Sequence, residues 1–352
     1  MKRVSVLLPR GYRSLLEDLK LRIRSAQIKA ATAVNHELVG LYFYIGRQLA
    51  KRTRQAGWGD KAVEHLAGDL RAAFPGMSGF SRTNLFAMRQ VYLAWTEAPK
   101  TVQQLVGQIP WGHHVLLTTK VKSPNARTWY LREAVTNGWS RSVLSLQIEG
   151  RLHERQGKAL TNFARTLPAP QSDLASETLK DPYLFDFLSL GPVLQERDIE
   201  RGLVDHVQSF LLELGVGFAF VGRQVHLEVG GEDFYLDLLF YHLKLRCFVV
   251  IELKAASFRP EFVGKMNFYL SVVDSKLRHP DDQPSIGLLL CKSKNQLMVE
   301  YALRDLQKPI GVSQWETQLV SSLPDVLQGS LPTIEELEAE LGPGLPSPAG
   351  SS

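Results

Sequence analysis

Cysteine is almost absent: Cys247 and Cys291 are the two in 352 residues. They lie far apart, each inside an apolar run, and the nine histidines are scattered. That excludes a disulfide-built scaffold and leaves no zinc-ligand spacing, so reduced core thiols in a cytoplasmic protein are the expectation. Long apolar runs are also missing. No stretch approaches the roughly 20 residues needed to cross a bilayer. The opening MKRVSVLLPRGYRS carries an apolar patch too short for a signal sequence, with no small-residue cleavage site after it. No membrane partner is expected.

Acidic residues are scarce in one half only. Residues 1–165 hold 26 Lys+Arg against 10 Asp+Glu, and residues 166–352 hold 15 against 26, so a charge of +16 is joined to one of −11. A basic half beside an acidic one points to a polyanion-binding module next to something else.

The basic half reads as helical. Leu15, Leu16, Leu19, Ile23, Ala26, Ala30, Val34, Leu38 and Leu41 recur at helical spacing over residues 12–54. Gly57-Trp58-Gly59 breaks that helix, and Asp60 is a candidate N-cap for the next, to about Ala73. After a turn at Pro75–Gly79, Ser81 caps a helix with Leu85, Met88, Val91 and Tyr92 on one face and Arg82 and Arg89 on another. The pair resembles a helix-turn-helix in outline, which makes Arg82 and Arg89 candidate DNA contacts. His113 and His114 are adjacent and read as structural or surface residues. Further helices are expected over 125–136 and 140–157.

The character then changes. LPAPQ at 167–171 marks a linker, taken as 166–195. Residues 196–214 read as one amphipathic helix stopped by Gly215. Strands follow at 217–229, 234–241 and 247–254, the first two joined by a hairpin at Gly230-Gly231. A helix over 260–273 and a buried strand over 286–291 complete an αβββαβ order, with a further strand near 309–319. The expected domains are thus 12–165, basic and helical; 196–325, α/β with a mixed sheet; and 326–352, a Glu-rich helix and a disordered tail.

Within that α/β region, charges stand in apolar strands. Glu252 and Lys254 lie two apart in CFVVIELK, and Asp237 lies fifteen positions before Glu252. Buried charges are costly unless paired or bound to a metal. Strand alternation puts Val250, Glu252 and Lys254 on one face, and an antiparallel hairpin can bring Asp237 beside Glu252. Two carboxylates that close repel unless a cation sits between them, and hard oxygen donors suit Mg²⁺ or Mn²⁺. Asp237, Glu252 and the Leu253 carbonyl are candidate metal ligands, with Lys254 orienting a bound water, helping to deprotonate it, or binding a phosphate oxygen. Glu200, on the preceding helix, is a candidate further carboxylate, and Glu196 stands one turn before it. The alternative is a plain Glu252–Lys254 ion pair with Asp237 capping a strand end.

These residues resemble the PD-(D/E)xK nuclease superfamily. More closely, the chain resembles the YhcG-like family of predicted bacterial nucleases, through FLLELG (210–215), FAFVGRQ (218–224), LDLLFYH (236–242), VIELK (250–254) and NFYL (267–270). Its first half resembles that family's helical domain through Trp58-Gly59, GFS (79–81), IPWGHH (109–114) and GWSR (138–141). The resemblance spans roughly residues 12–320. It implies a restriction-endonuclease-like core and metal-dependent phosphodiester hydrolysis, with Asp237, Glu252, Lys254 and Glu200 as catalytic residues. Arg223 and Gln224 would contact the substrate or brace the site. The proline of the superfamily name is replaced by Leu236. RecB-like members carry Q-x-x-x-Y on the following helix; here the match is Lys265 to Tyr269, with lysine for glutamine. A lysine there either binds a phosphate or competes with the metal. DNA is the expected partner. RNA is the weaker candidate, since nothing here reads a 2′-hydroxyl. Double-strand cutting by a one-site subunit calls for a homodimer. The competing reading is a nucleic-acid-binding or assembly protein on an inactive nuclease fold.

Overall fold

A computed structural model describes residues 12–53, 59–188 and 195–317. The expected break at Gly57-Trp58, the Glu-rich helix and the C-terminal tail lie outside these residues. The chain divides into two compact units, the first running to Ser145 and the second spanning Leu146–Ser322.

The first unit is helical among its described residues: α1 (Tyr12–Arg52), α2 (Asp60–Ala73), α3 (Arg82–Thr96), α4 (Lys100–Val106), α5 (Trp111–Lys120) and α6 (Pro124–Asn137), with α7 (Arg141–Glu149) running across the division. Ser81 Oγ accepts from Asn84 N and so caps α3 as expected, while Gly59, not Asp60, holds the N-cap position of α2. Gly138, in the left-handed region at φ 62°, ends α6. Helices α1 and α3 cross closely at Gly46, where a Cβ would stand 2.2 Å from the Met88 carbonyl oxygen. The apolar stripe of α1 is buried only in its last third. Val39, Tyr42 and Leu49 join the core, whereas Leu15, Leu19, Ile23 and Val34 are exposed. The IPWGHH and GFS motifs meet at Asn84, which donates to the Gly79 carbonyl and accepts from Trp111 Nε1, both at 2.7 Å. His114 is buried with Nε2 2.7 Å from the Val106 carbonyl, and burial pushes its pKa down to about 4. His113 is buried as well, its Nε2 2.9 Å from the Trp139 carbonyl, so of the structural and surface alternatives the pair takes the structural one.

The second unit holds α8 (Leu152–Arg155), β1 (Leu160–Thr161), α9 (Phe163–Thr166), α10 (Gln171–Thr178), β2 (Tyr183–Leu184), α11 (Glu196–Asp205), α12 (Val207–Leu214), β3 (Phe218–Val229), β4 (Glu232–His242), β5 (Cys247–Ser257), α13 (Glu261–Lys276), β6 (Ile286–Ser293), α14 (Gln296–Leu303) and β7 (Ile310–Glu316). The sheet runs β1-β7-β6-β5-β4-β3, with β2 also on β7. The β3–β4 and β4–β5 pairs are antiparallel and β5–β6 and β6–β7 are parallel, α13 supplying the crossover that a parallel β5–β6 pair requires. This is the mixed-sheet αβββαβ core that the sequence predicts. Gly230 and Gly231, both at positive φ, make the β3–β4 turn.

Alternation along β5 divides two cores. Val249, Ile251 and Leu253 face α11 and α12 with Phe210 and Phe240, while Val250 faces α13 with Met266 and Leu270. Both cysteines are buried free thiols, one in each core, and burial pushes each up to about 12.

Further expectations need correction, among them the helix expected over 140–157, which is broken at left-handed Arg151 into α7 and α8. Residues 166–188 are not a linker. Phe163, Leu167, Leu179, Tyr183 and Phe185 are buried in the α11–α12 core, and β1 and β2 pair with β7. An ion cluster holds this segment down: Arg155 Nη1 meets Glu213 Oε1 at 2.6 Å, Leu184 N donates to the same oxygen at 2.9 Å, and Lys180 donates to the Glu213 carbonyl. The division therefore falls near 145, not 165. The helix expected over 196–214 is also broken at His206 into α11 and α12, which lets the first piece lie along β5 and the second along β3.

Candidate active site

The site forms where three strands run level. The β4–β5 ladder ends at Leu238–Ile251, and one step further Asp237 stands opposite Glu252. On the other side, Gln224 lies between the pairs Arg223–Leu238 and Val225–Leu236, level with Asp237. Here the sheet rolls over. Leu236 belongs to the α13 core and Leu238 to the α11–α12 core, so alternation is interrupted at Asp237. Gln224 adopts φ 48°, a left-handed conformation that an L-residue with a side chain rarely takes.

Asp237 Oδ2 accepts from Leu253 N at 2.9 Å, so the carboxylate caps β5 where the ladder stops. Glu252 is 1% exposed. Its Oε2 is 2.9 Å from Lys265 Nζ and 3.6 Å from Lys254 Nζ, and its Oε1 is buried with no hydrogen-bond partner. Burial pushes both carboxyls above their usual range, and for Glu252 the neighbouring Asp237 charge adds to it.

Lys254 is fixed on several sides. Its Nζ donates to Glu196 Oε2 and to the Leu253 carbonyl, each at 2.9 Å, and lies 5.6 Å from the centre of the Phe262 ring. Trp315 Nε1 donates to its backbone carbonyl at 3.1 Å. Burial pulls the ammonium pKa down, but the Glu196 hydrogen bond and the Glu252 and Asp237 charges outweigh it and hold the value above the usual one. Lys254 is thus fixed in place by Glu196 and the Leu253 carbonyl.

Glu200, buried on α11, accepts from Gln224 Nε2 at 2.7 Å and pairs with Arg223 Nε at 3.3 Å. Burial and the Asp237 charge raise its pKa against the Gln224 hydrogen bond. Both β3 residues therefore engage Glu200 directly. Lys265 Nζ sits 5.0 Å over the Tyr269 ring, and Tyr269 itself is 3% exposed, donating its hydroxyl to the Tyr235 carbonyl at 3.0 Å. Tyr269 ties α13 to β4 and presents little surface to a ligand. In the first unit, exposed Arg82 pairs with Asp60 at 3.2 Å and lies over the Phe86 ring, and Arg89 is half-buried on α3. Glu196 is the residue that sequence reasoning undervalued. Its spacing of four from Glu200 on one helix was the available signal.

The sequence compares closely with known proteins. Residues 176–332 match the YhcG PDDEXK nuclease domain, and residues 18–155 match the DUF1016 N-terminal domain. The chain is 30% identical over 363 residues to the Escherichia coli (strain K12) protein named "Putative nuclease YhcG", covering 93% of this chain and 96% of that one. The chain belongs to the YhcG family. Residues 176–332, which include most of the second unit, are therefore a PDDEXK nuclease domain of the YhcG type. A repair endonuclease from Pyrococcus abyssi overlaps 38% of this chain and 50% of its own, at 13% identity and a TM-score of 0.25. Among the described residues no helix is long and apolar enough to cross a membrane.

Among the described residues no group of three or more His, Cys, Asp or Glu side chains is placed to share a metal ion. The Asp237–Glu252 pair still fits a hard divalent cation: both donors are carboxylates, burial disfavours their charges, and Glu252 Oε1 has no partner. Two side-chain carboxylates and backbone or water oxygens would make up such a set.

Proposed function

We propose that this YhcG-family protein is a divalent-metal-dependent nuclease that hydrolyses phosphodiester bonds of DNA. Asp237 and Glu252 would hold Mg²⁺ or Mn²⁺, with the Leu253 carbonyl as a third donor. The observation that carries the reading is the buried, unpartnered Glu252 Oε1 on β5, with a second desolvated carboxylate, Asp237, at the opposite position of β4, in a domain of nuclease type. A bound divalent cation would supply charge neutralisation for the phosphate and an acidified water. The chain's own groups do the rest. Asp237, pinned by Leu253 N, keeps one carboxylate oxygen at a fixed place. Lys254, anchored by Glu196, would neutralise a phosphate oxygen, orient the attacking water or help to deprotonate it. Glu196 and Glu200 hold Lys254 and the Arg223–Gln224 segment in position. The basic first unit would add sequence-independent phosphate contacts, with Arg82 and Arg89 as candidates.

The test is a cleavage panel of supercoiled, linear and single-stranded DNA and of RNA, in Mg²⁺, Mn²⁺ or EDTA, on wild type, Asp237→Ala and Lys254→Ala. DNA nicking or cutting in metal is expected, lowered by about a hundredfold or more in each variant. Equal trace cleavage by all three proteins, unaffected by EDTA, sinks the proposal. DNA retention without cleavage in any metal favours a binding protein on this fold.

A further inference from the structure

Glu252 is approached by two ammonium groups that are held very differently. Lys254 has a side chain 9% exposed and is anchored by Glu196, the Leu253 carbonyl and the Phe262 ring. Lys265 has a side chain 45% exposed; besides Glu252 Oε2, its ammonium touches the Tyr269 ring. Lys254 is part of the wall of the site, whereas Lys265 can swing out on its flexible stem at little cost in contacts. Yet Lys265 makes the shorter contact to Glu252, 2.9 Å against 3.6 Å, on the one carboxylate oxygen that has any partner.

A divalent cation at Asp237 and Glu252 must work against that ammonium. It meets a like charge within a few ångströms, and the Lys265–Glu252 pair must lengthen before Oε2 is free. We propose that Lys265 is a displaceable counter-ion of the metal site: it occupies Glu252 in the metal-free protein and sets the cation concentration at which the site fills. The inference rests on reading Asp237 and Glu252 as the metal pair. Lys265 acts through Glu252 and is a positioning residue.

Direct Mn²⁺ binding to the full chain without nucleic acid, followed by the electron paramagnetic resonance of free Mn²⁺, tests it. Lys265→Gln removes the charge and keeps a donor for Oε2. About tenfold tighter Mn²⁺ binding is expected, a figure discounted for the half-exposed position of the lysine. Lys265→Arg, which keeps the charge, binds like wild type. Lys265→Ala leaves room for water and shifts binding the same way as the glutamine, which guards against a packing fault. Thermal unfolding adds a second reading. The Gln variant melts below wild type in EDTA and above it in a Mn²⁺ concentration that half-saturates wild type. Unchanged Mn²⁺ affinity, or a lower melting temperature in both buffers, marks a merely structural lysine and overturns the inference alone. If wild type binds no Mn²⁺, or Asp237→Ala binds it equally well, the metal-site reading falls and this inference with it.

Discussion

Asp237 carries an electrostatic penalty in the folded state, because burial disfavours its charge and one hydrogen bond from Leu253 N with two nearby lysines does not offset it. A carboxyl whose folded-state pKa lies above its unfolded one contributes stability that is full at low pH and lost as pH rises through the folded value. In EDTA the Asp237 contribution to stability should therefore fall as pH rises, opposite in sign to that of the buried histidines, and comparison with a charge-free variant isolates it. Asp237→Asn keeps an acceptor for Leu253 N and removes the charge. Its chemical-denaturation midpoint should exceed that of wild type at neutral pH and converge with it in acid, while cleavage falls by about a hundredfold or more. A midpoint below wild type at neutral pH would show that the carboxylate stabilises the metal-free fold. Much of this was legible in sequence: charges within apolar runs marked Asp237, Glu252 and Lys254. The roll-over at Asp237 was not, since LDLLF reads as a simple buried strand. Nor was the use of Tyr269 as a brace, because the Tyr235 carbonyl it meets is 34 residues away.

At the scale of elements, Glu213 decides what belongs to the nuclease domain. It stands in FLLELG on α12, where the sequence shows an amphipathic helix and nothing more. In the structure it faces Arg155 and the Lys180 side chain, both nearly buried, and receives Leu184 N. Glu213→Ala leaves two cations without their carboxylate, which should destabilise the second unit by about 3–5 kcal/mol in urea unfolding. Limited proteolysis should then open the segment between α8 and α11 first. A loss under about 1 kcal/mol would mean that the aromatic packing of Tyr183 and Phe185 alone secures it. The LPAPQ stretch looked like a linker because proline and polarity mark loops. What holds it are aromatics and charges whose partners lie on β7 and α12. The break at His206 was equally hidden, with no glycine or proline at the kink.

For the whole molecule, the uneven charge is the feature with functional reach. If the basic half binds the DNA backbone, affinity must fall steeply with salt because condensed counterions are released. With cleavage suppressed by EDTA, about four phosphate contacts would weaken DNA binding roughly a hundredfold between 50 and 200 mM salt. A fragment ending at Ser145 should retain most of that dependence and residues 146–322 little of it. A flat salt response in fluorescence anisotropy would count against the basic half as the DNA-binding part. Acid works on both units in a different way. His114 and His242 are each pushed by burial down to about 4, so the stability of holding them neutral is full above about 6.5 and is lost as pH falls towards 4.

The sequence by itself determined the αβββαβ order of the core, the two faces of β5, the family, and the three charged residues at the sheet's centre. Those follow from local periodicity and from charges out of place in apolar strands. Tertiary structure alone decided that the second compact unit begins near residue 146, that Glu196 holds Lys254, that Gln224 and Arg223 engage Glu200, and that Lys265 rests on Glu252. Each of these is an electrostatic or hydrogen-bonded contact across distant stretches of chain. Such contacts leave no periodic trace, because their energy depends on burial and approach distance, which exist only once the sheet has formed.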